Sequence, residues 1–324
     1  MSPRAADIAG FLAAHGWGHA APTPMVAGLS PRRYTRLERP DLRRAVLMDA
    51  DAGQNTPAFL AVAQLLREQD IAAPCIYAAD AAAGLVLMED FGDQVIGGLI
   101  DKGLQPAALY RRCVDVLVHL HGRFRPASAR DLPLPVFNAT LFANQAELFL
   151  DAYLPYAKAR QATPQERGNF RAAWETTLAK IEAVPQSLLL RDFMPDNLMD
   201  LPERDLWQSV GVLDFQDAGI GPIAYDLASL CEVVRRDGSD ILLDEMIAYY
   251  HERAPSAMPV GDLRTACHIL AAQRHMRILG RITQYAQTTG RTEKLAWLPR
   301  IKTYLKTLFD HKALQPVREW AQAL

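Results

Sequence analysis

The chain has 324 residues, 50% of them hydrophobic and 22% charged, enough for two lobes or domains with a sizeable core and too apolar to be disordered. A formal net charge of −2 excludes a general electrostatic pull toward nucleic acid or anionic membrane. The four cysteines, Cys75, Cys113, Cys231 and Cys267, form no CxxC and no zinc spacing; their apolar neighbours mark them as reduced core residues of a cytoplasmic protein.

In chain order, "MSPRAADIAGFLAAHGWGHA" reads as a short amphipathic helix ending at Gly16, not as a signal peptide. No apolar run approaches the ~20 residues of a membrane-spanning helix. Residues 24–50 read as strands: an apolar run ending at Gly28, then "YTRL", a turn through Pro40, and "AVLM". "TPAFLAVAQLLREQDI" is a helix with Thr56 as its cap and Pro57 at the first helical position. Phe59, Val62, Leu65 and Leu66 form its apolar face. After Pro74, "CIYAAD" and "GLVLMEDFGD" read as a strand pair closed by Gly84. Beyond Gly92 the period becomes 3.6 residues, first in "QPAALYRRCVDVLVHLHGRF" and then in five further segments, among them "NQAELFLDAYLPYAKA" and "DLRTACHILAAQRHMRILGRITQYAQ". Only residues 187–217 interrupt the helices, with two short apolar runs. The predicted organisation is α+β: a small antiparallel β-rich lobe with one helix (1–88), a hinge (89–93), and a large mainly helical lobe (94–324) that carries the insert.

The insert holds the chemistry. In "LLLRDFMPDNLMD", Asp192 follows an apolar run, and Pro195 keeps the segment from continuing as a helix. A loop Asp with Asn197 five residues on places a base and a metal ligand on one turn of chain. Asp214, in "VGVLDFQDA", opens the loop after the second run and offers another hard oxygen, a donor set that suits Mg²⁺ together with substrate phosphates. Each residue alone is more simply a turn-maker or cap. It is the ordered composite, ending in "GIGPIAYDLASL", that points to phosphoryl transfer, with Asp192 as the proton acceptor. Asp226 reads as a brace for the catalytic loop. His119 and His121 point to different faces of a helix and make no metal pair. Neither G-x-S-x-G nor G-x-x-x-x-G-K-[ST] occurs, which argues against a serine hydrolase and a P-loop enzyme.

On these motifs the chain resembles the aminoglycoside phosphotransferase superfamily, with its two-lobed protein-kinase-like fold. It is similar in particular to the bacterial anomeric kinases of N-acetylmuramate and N-acetylglucosamine in cell-wall recycling. The resemblance implies Asp192 as general base, Asn197 and Asp214 as Mg²⁺ ligands, and ATP bound between the lobes. Glu89 through Phe91 would form the hinge whose backbone meets adenine, with Met88 before it also at the nucleotide. Gly28, Ser30, Arg32 and Arg33 would face the phosphates, with Met48 on the neighbouring strand. Asp196, Gln216, Asp217 and Arg274 would face the acceptor. The implied partners are ATP and a small polar hydroxyl-bearing substrate, an amino sugar.

The chain departs from the family pattern in four places. Leu190 replaces the histidine before Arg-Asp, and Met48 stands where many kinases carry the phosphate-binding lysine. The following helix has only Glu68, at its far end, to pair with such a lysine. Leu29 stands where the sugar kinases have an acidic residue. Arg32 or Arg33 is then expected to supply the missing charge, with Arg33 outweighing Met48 in ATP binding. Arg274, Arg277 and Arg281 share one helix face, read either as a solvated basic stripe or as a clamp for the N-acetylmuramate carboxylate. Two alternatives remain: a kinase of the same fold acting on an aminoglycoside or choline-like alcohol, and a nucleotide-binding pseudokinase.

Overall fold

The structure is a computed structural model that describes residues 3–25, 32–51, 55–232, 239–254 and 258–324. Gly28 and Ser30 lie outside the described residues. The chain divides into two compact units, residues 1–103 with 195–217, and residues 104–194 with 218–324. The fold is α+β, as the sequence predicts, and no helix among the described residues is long and apolar enough to cross a membrane.

The first unit is built on a five-stranded antiparallel sheet. Helix α1 (Pro3–Ala14) precedes β1 (Ala21–Pro24), β2 (Arg33–Glu38) and β3 (Arg44–Asp49). Helix α2 (Thr56–Glu68), β4 (Ile76–Asp80), β5 (Leu85–Glu89) and α3 (Ile96–Asp101) follow, and the strands are ordered β1-β2-β3-β5-β4. Alternation along the strands sorts the side chains. Leu37, Ala45, Leu47, Leu85 and Leu87 make one apolar face, which Trp17 and the α1 residues Ile8, Phe11 and Leu12 cover. Phe59, Val62, Leu65 and Leu66 of α2 are buried, as their spacing predicts. The cap, however, is Asn55, one residue earlier than expected: its side-chain oxygen accepts from the Ala58 amide at 3.1 Å, while Thr56 is buried as the first helical residue. The β4–β5 turn closes through Gly84, where φ is +70° and a Cβ would lie 2.3 Å from the Ala50 carbonyl oxygen, so only glycine fits.

In the second unit, helices α4 (Pro106–Arg123), α5 (Ala139–Ala146), α6 (Leu154–Lys158) and α7 (Pro164–Leu178) come first. The segment that interrupts the helices contains four short strands. Strand β6 (Gln186–Leu189) opens it, β7 (Leu198–Asp200) and β8 (Val210–Val212) form an antiparallel pair that belongs to the first unit, and β9 (Gly219–Pro222) pairs back onto β6. Helices α8 (Ala224–Cys231), α9 (Ser239–Arg253), α10 (Val260–Thr289), α11 (Leu298–Leu308) and α12 (Gln315–Ala323) complete the second unit. Helix α10 runs through its core, packed against α8, α11 and the 149–153 segment.

The sequence period over "NQAELFLDAYLPYAKA" predicts one continuous helix, but Phe149–Tyr153 is a π-helical turn between α5 and α6. The neighbouring contact on α10 leaves no slack: a Cβ on Gly280 would sit 2.3 Å from the Leu148 carbonyl oxygen and 2.5 Å from its carbon. Gly280→Ala is therefore expected to cost about 1–3 kcal/mol, the usual range for overpacking. That should lower the melting temperature by several degrees. A thermal melt within a degree of wild type would show that this contact yields easily.

Candidate active site

The catalytic loop leaves β6 at Leu189 and belongs, through Met194, to the helical unit. Leu190, which stands in place of the family histidine, is 1% exposed, so its side chain is a core anchor. Its backbone amide donates to Asp226 Oδ2 at 2.6 Å, and the Arg191 amide donates to Asp226 Oδ1 at 2.9 Å. Asp226, in the first turn of α8, thus grips the two residues immediately before Asp192. Burial pushes its pKa up to about 7, against the opposing pull of the two amides; the nearby Asp192 charge raises it and Arg274 lowers it.

Arg191 is held at φ +69°, a conformation that non-glycine residues rarely occupy. Three contacts over-determine it besides the amide bond. Its guanidinium carbon lies 4.8 Å from the Phe137 ring centroid, its carbonyl accepts from Ser229 Oγ at 3.2 Å, and Leu190 on one side is buried. The loop is therefore fixed in one geometry, with Asp192 half-buried at its turn.

Arg274 of α10 corrects the solvated-stripe reading. It is 2% exposed, Arg277 is half-buried and Arg281 is exposed, so the three arginines run from core to surface. Burial lowers the Arg274 pKa, while Tyr225, Asp192 and Glu232 offset that effect. Its Nη1 donates to the Glu232 carbonyl at 3.4 Å, and its Nε has no hydrogen-bond partner among the described residues. A buried guanidinium needs anionic company, and Asp192 is in its field. Arg277 Nη2 reaches the Tyr225 hydroxyl at 3.4 Å, and Tyr225 stacks on Phe142. Glu232 bonds His275 Nε2 at 2.8 Å in the same buried cluster.

The metal loop belongs to the sheet unit. Asn197 ends a short 3₁₀ turn, Pro195–Asn197, and its carbonyl accepts from the Leu213 amide at 2.9 Å. That bond sets Asp214 beside it: Asn197 Nδ2 lies 3.4 Å from Asp214 Oδ2, and Gln216 Nε2 donates to Asp214 Oδ1 at 2.8 Å. Asp214 adopts φ +58°. An exposed carboxylate and a neighbouring amide, whose oxygen and nitrogen are interchangeable by a flip, are hard donors that fit Mg²⁺ completed by water and phosphate oxygens. Among the described residues no cluster of three or more His, Cys, Asp or Glu could hold a metal by itself. Asp196 is half-buried on the same turn and Asp217 is exposed after Gln216.

Elsewhere in that unit, Met48 is fully buried and pairs with Tyr34 across the strands. Met88, 5% exposed, lies between Val46 and Ile76. The Glu89 side chain is engaged locally, accepting from the Cys75 amide at 3.1 Å and from Arg204 at 2.6 Å. Arg204 also lies over the Phe91 ring, and Phe91 packs against Gly211. Arg33 pairs with Asp49 at 3.0 Å and with Asp51 at 2.8 Å, on the face of the sheet away from Met48. The phosphate-facing role expected of Arg33 therefore finds no geometric support. Tyr34 stands opposite Met48 through the strand register, a neighbourhood the sequence does not show.

Known proteins resemble this chain over most of its length. The profile described as "Phosphotransferase enzyme family" matches residues 3–260. A protein of Caulobacter vibrioides named N-acetylmuramate/N-acetylglucosamine kinase is 31% identical over 98% of this chain and 96% of its own. A protein of the same name from Pseudomonas aeruginosa is 28% identical over 92% of this chain and 87% of its own. Among solved structures, a choline kinase from Streptococcus pneumoniae superposes with a TM-score of 0.68 at 13% identity, covering 94% of this chain and all 100% of that one. A choline/ethanolamine kinase family protein from Mesorhizobium loti gives 0.66 at 14% identity, covering 98% and 99%.

Proposed function

Because the chain belongs to the phosphotransferase enzyme family and is a phosphotransferase with an alcohol acceptor, we propose that it moves the γ-phosphoryl group of ATP to the anomeric hydroxyl of N-acetylmuramate or N-acetylglucosamine. The acceptor oxygen attacks the γ-phosphorus, the bond to the β-phosphate oxygen breaks, and ADP leaves. Asp192 takes the acceptor proton, and the grip of Asp226 on the Leu190 and Arg191 amides holds it in place for that role. Asn197 and Asp214 would hold Mg²⁺, which offsets negative charge on the phosphate oxygens. The single observation that carries the acceptor assignment is the 31% identity to a kinase of that name across nearly the whole chain.

The test is ATP consumption by the purified protein against free N-acetylmuramate, free N-acetylglucosamine, the methyl glycoside of N-acetylglucosamine, choline and an aminoglycoside. Turnover with both free sugars and none with the methyl glycoside, whose anomeric oxygen is blocked, is the expected pattern. Turnover with the glycoside would move the reaction to another hydroxyl. Turnover with choline or the aminoglycoside alone would replace the acceptor class, and none with any acceptor would favour a nucleotide-binding regulator.

Arg274 remains the proposed holder of the N-acetylmuramate carboxylate, with a consequence of its burial added. Since it lies in the field of Asp192, Arg274→Ala should lower kcat/KM for both sugars. Carboxylate recognition would show as an additional loss of roughly 10-fold or more on N-acetylmuramate, the worth of one hydrogen bond to a charged group. Equal losses on the two sugars would leave Arg274 a positioning residue for the base.

A further inference from the structure

The register of β2 against β3 separates two consecutive arginines. Arg33 stands opposite Asp49, and Tyr34 stands opposite Met48. Successive side chains point to opposite faces, so Arg32 shares its face with Tyr34 and Met48, while Arg33 shares its own with Asp49. The Arg33 face is the one that α1 covers. There Asp49 is held between two guanidiniums, Arg4 Nε at 2.8 Å and Arg33 Nε at 3.0 Å, and the rest of Arg33 reaches Asp51. Arg33 is thus a strut between strand and helix.

The opposite face leads to the metal loop. Arg32 is 4% exposed, with its guanidinium carbon 5.7 Å from the Phe59 ring centroid. Phe59 stacks on Phe215, centroids 5.0 Å apart and planes within 17°, and Phe215 directly follows Asp214. Arg32 lies over Phe59, and Phe215 ties that ring to the loop bearing Asp214. Tyr34 closes the group: burial raises the pKa of its hydroxyl, Arg32 lowers it and Asp214 raises it, so both charges act on this one side chain. A cation and the proposed Mg²⁺ ligand therefore lie around one half-buried tyrosine and one aromatic stack, within a single unit of the chain.

We propose that Arg32 is the cation that receives the polyphosphate oxygens of the nucleotide, acting from the residue before β2 and on the face of the sheet where Met48 offers no charge. The assignment rests on the reading of the chain as an ATP-dependent kinase. Chemically, a planar guanidinium with paired donors suits adjacent phosphate oxygens. Phe59 and Phe215 link Arg32 to the loop of Asp214, so the arginine and a metal that Asp214 would hold would each offset part of the charge of one polyanion. The arrangement also explains how a strand with methionine in place of lysine remains compatible with nucleotide binding.

The experiment is calorimetry of ATP, ADP and adenosine, with Mg²⁺ present, on the wild type, Arg32→Met, Arg32→Lys and Arg33→Met, each checked by thermal melting. Arg32→Met should weaken ATP and ADP binding by ~10- to 100-fold, as expected for losing charge-assisted hydrogen bonds, and change adenosine binding by less than about 3-fold. Arg32→Lys should recover part of the loss, since it keeps charge without the fork. Arg33→Met should lower the melting temperature and leave all three affinities near wild type. Unchanged ATP affinity in Arg32→Met overturns the proposal, as does an equal loss for adenosine, which would mark a structural role, or a matching phosphate-specific loss in Arg33→Met. In all these cases the wild type binds ATP and the kinase reading stands. A wild type that binds neither ATP nor ADP would sink both together.

Discussion

Asp192→Asn is expected to lower turnover by ~10²–10⁴-fold, the range for removing a general base, while leaving Mg·ATP affinity close to wild type. The substitution keeps the shape of the side chain and removes only its capacity to take a proton. The loop around it should not move. Arg191 is held at φ +69° by its amide bond to Asp226 and its stacking on Phe137, neither of which involves the Asp192 side chain. One cost is electrostatic: Arg274, 2% exposed, loses a nearby charge that favours its ionised form, so a small drop in melting temperature should accompany the loss of activity. Single-turnover phosphoryl transfer and nucleotide calorimetry on the same preparation separate the two effects. Transfer within a few-fold of wild type would remove Asp192 from the mechanism. Loss of ATP binding in parallel would mean that the substitution had disturbed more than the acceptor step.

Features written locally in the chain could be read from sequence, and those fixed by partners distant in sequence could not. The apolar face of α2 is a periodic pattern of thirteen residues, and Phe59, Val62, Leu65 and Leu66 are buried accordingly. Gly84 announces the β4–β5 turn because its backbone conformation admits little else. The short apolar runs before Asp192 and Asp214 read as strand-like segments because both loops must open directly from the core. The π-helical turn at 149–153, by contrast, leaves no mark on the 3.6-residue period; it lies where α10 meets the chain at Gly280. Arg274, Arg277 and Arg281 share a helix face by spacing alone, but spacing cannot say whether that face meets water or α8 and Glu232. The distinction between Arg32 and Arg33 is of the same kind. Two neighbouring arginines in "SPRRY" are equivalent as sequence, and they become different only when β3 places Asp49 across from one and Met48 across from the residue after it. Tyr34, on which the charges of both Arg32 and Asp214 act, carries no motif at all.

For the metal loop, Asp214→Asn is expected to reduce Mg·ATP affinity by ~10²-fold, as losing the strongest charge-assisted contact would. Asparagine is a cleaner test than alanine. Asp214 sits at φ +58°, a left-handed conformation that Asn and Asp tolerate and that costs most other L-residues roughly 1–2 kcal/mol. Alanine would therefore mix backbone strain with loss of the carboxylate, whereas asparagine removes one charge and preserves the turn. Asn197→Ala should weaken Mg·ATP binding less, by roughly 10-fold, because an amide dipole offsets a dication less well than a carboxylate does. It also leaves intact the backbone bond from the Leu213 amide to the Asn197 carbonyl, so Asp214 keeps its position. The decisive measurement is ATP affinity titrated against Mg²⁺ for the three proteins. In the wild type the affinity should rise with Mg²⁺, and in Asp214→Asn that dependence should largely vanish while the melting temperature without ligand stays near wild type. If Asp214→Asn retains the full Mg²⁺ dependence, the ion is held elsewhere, and Asp214 with its bonds to Asn197 and Gln216 is only a well-made turn.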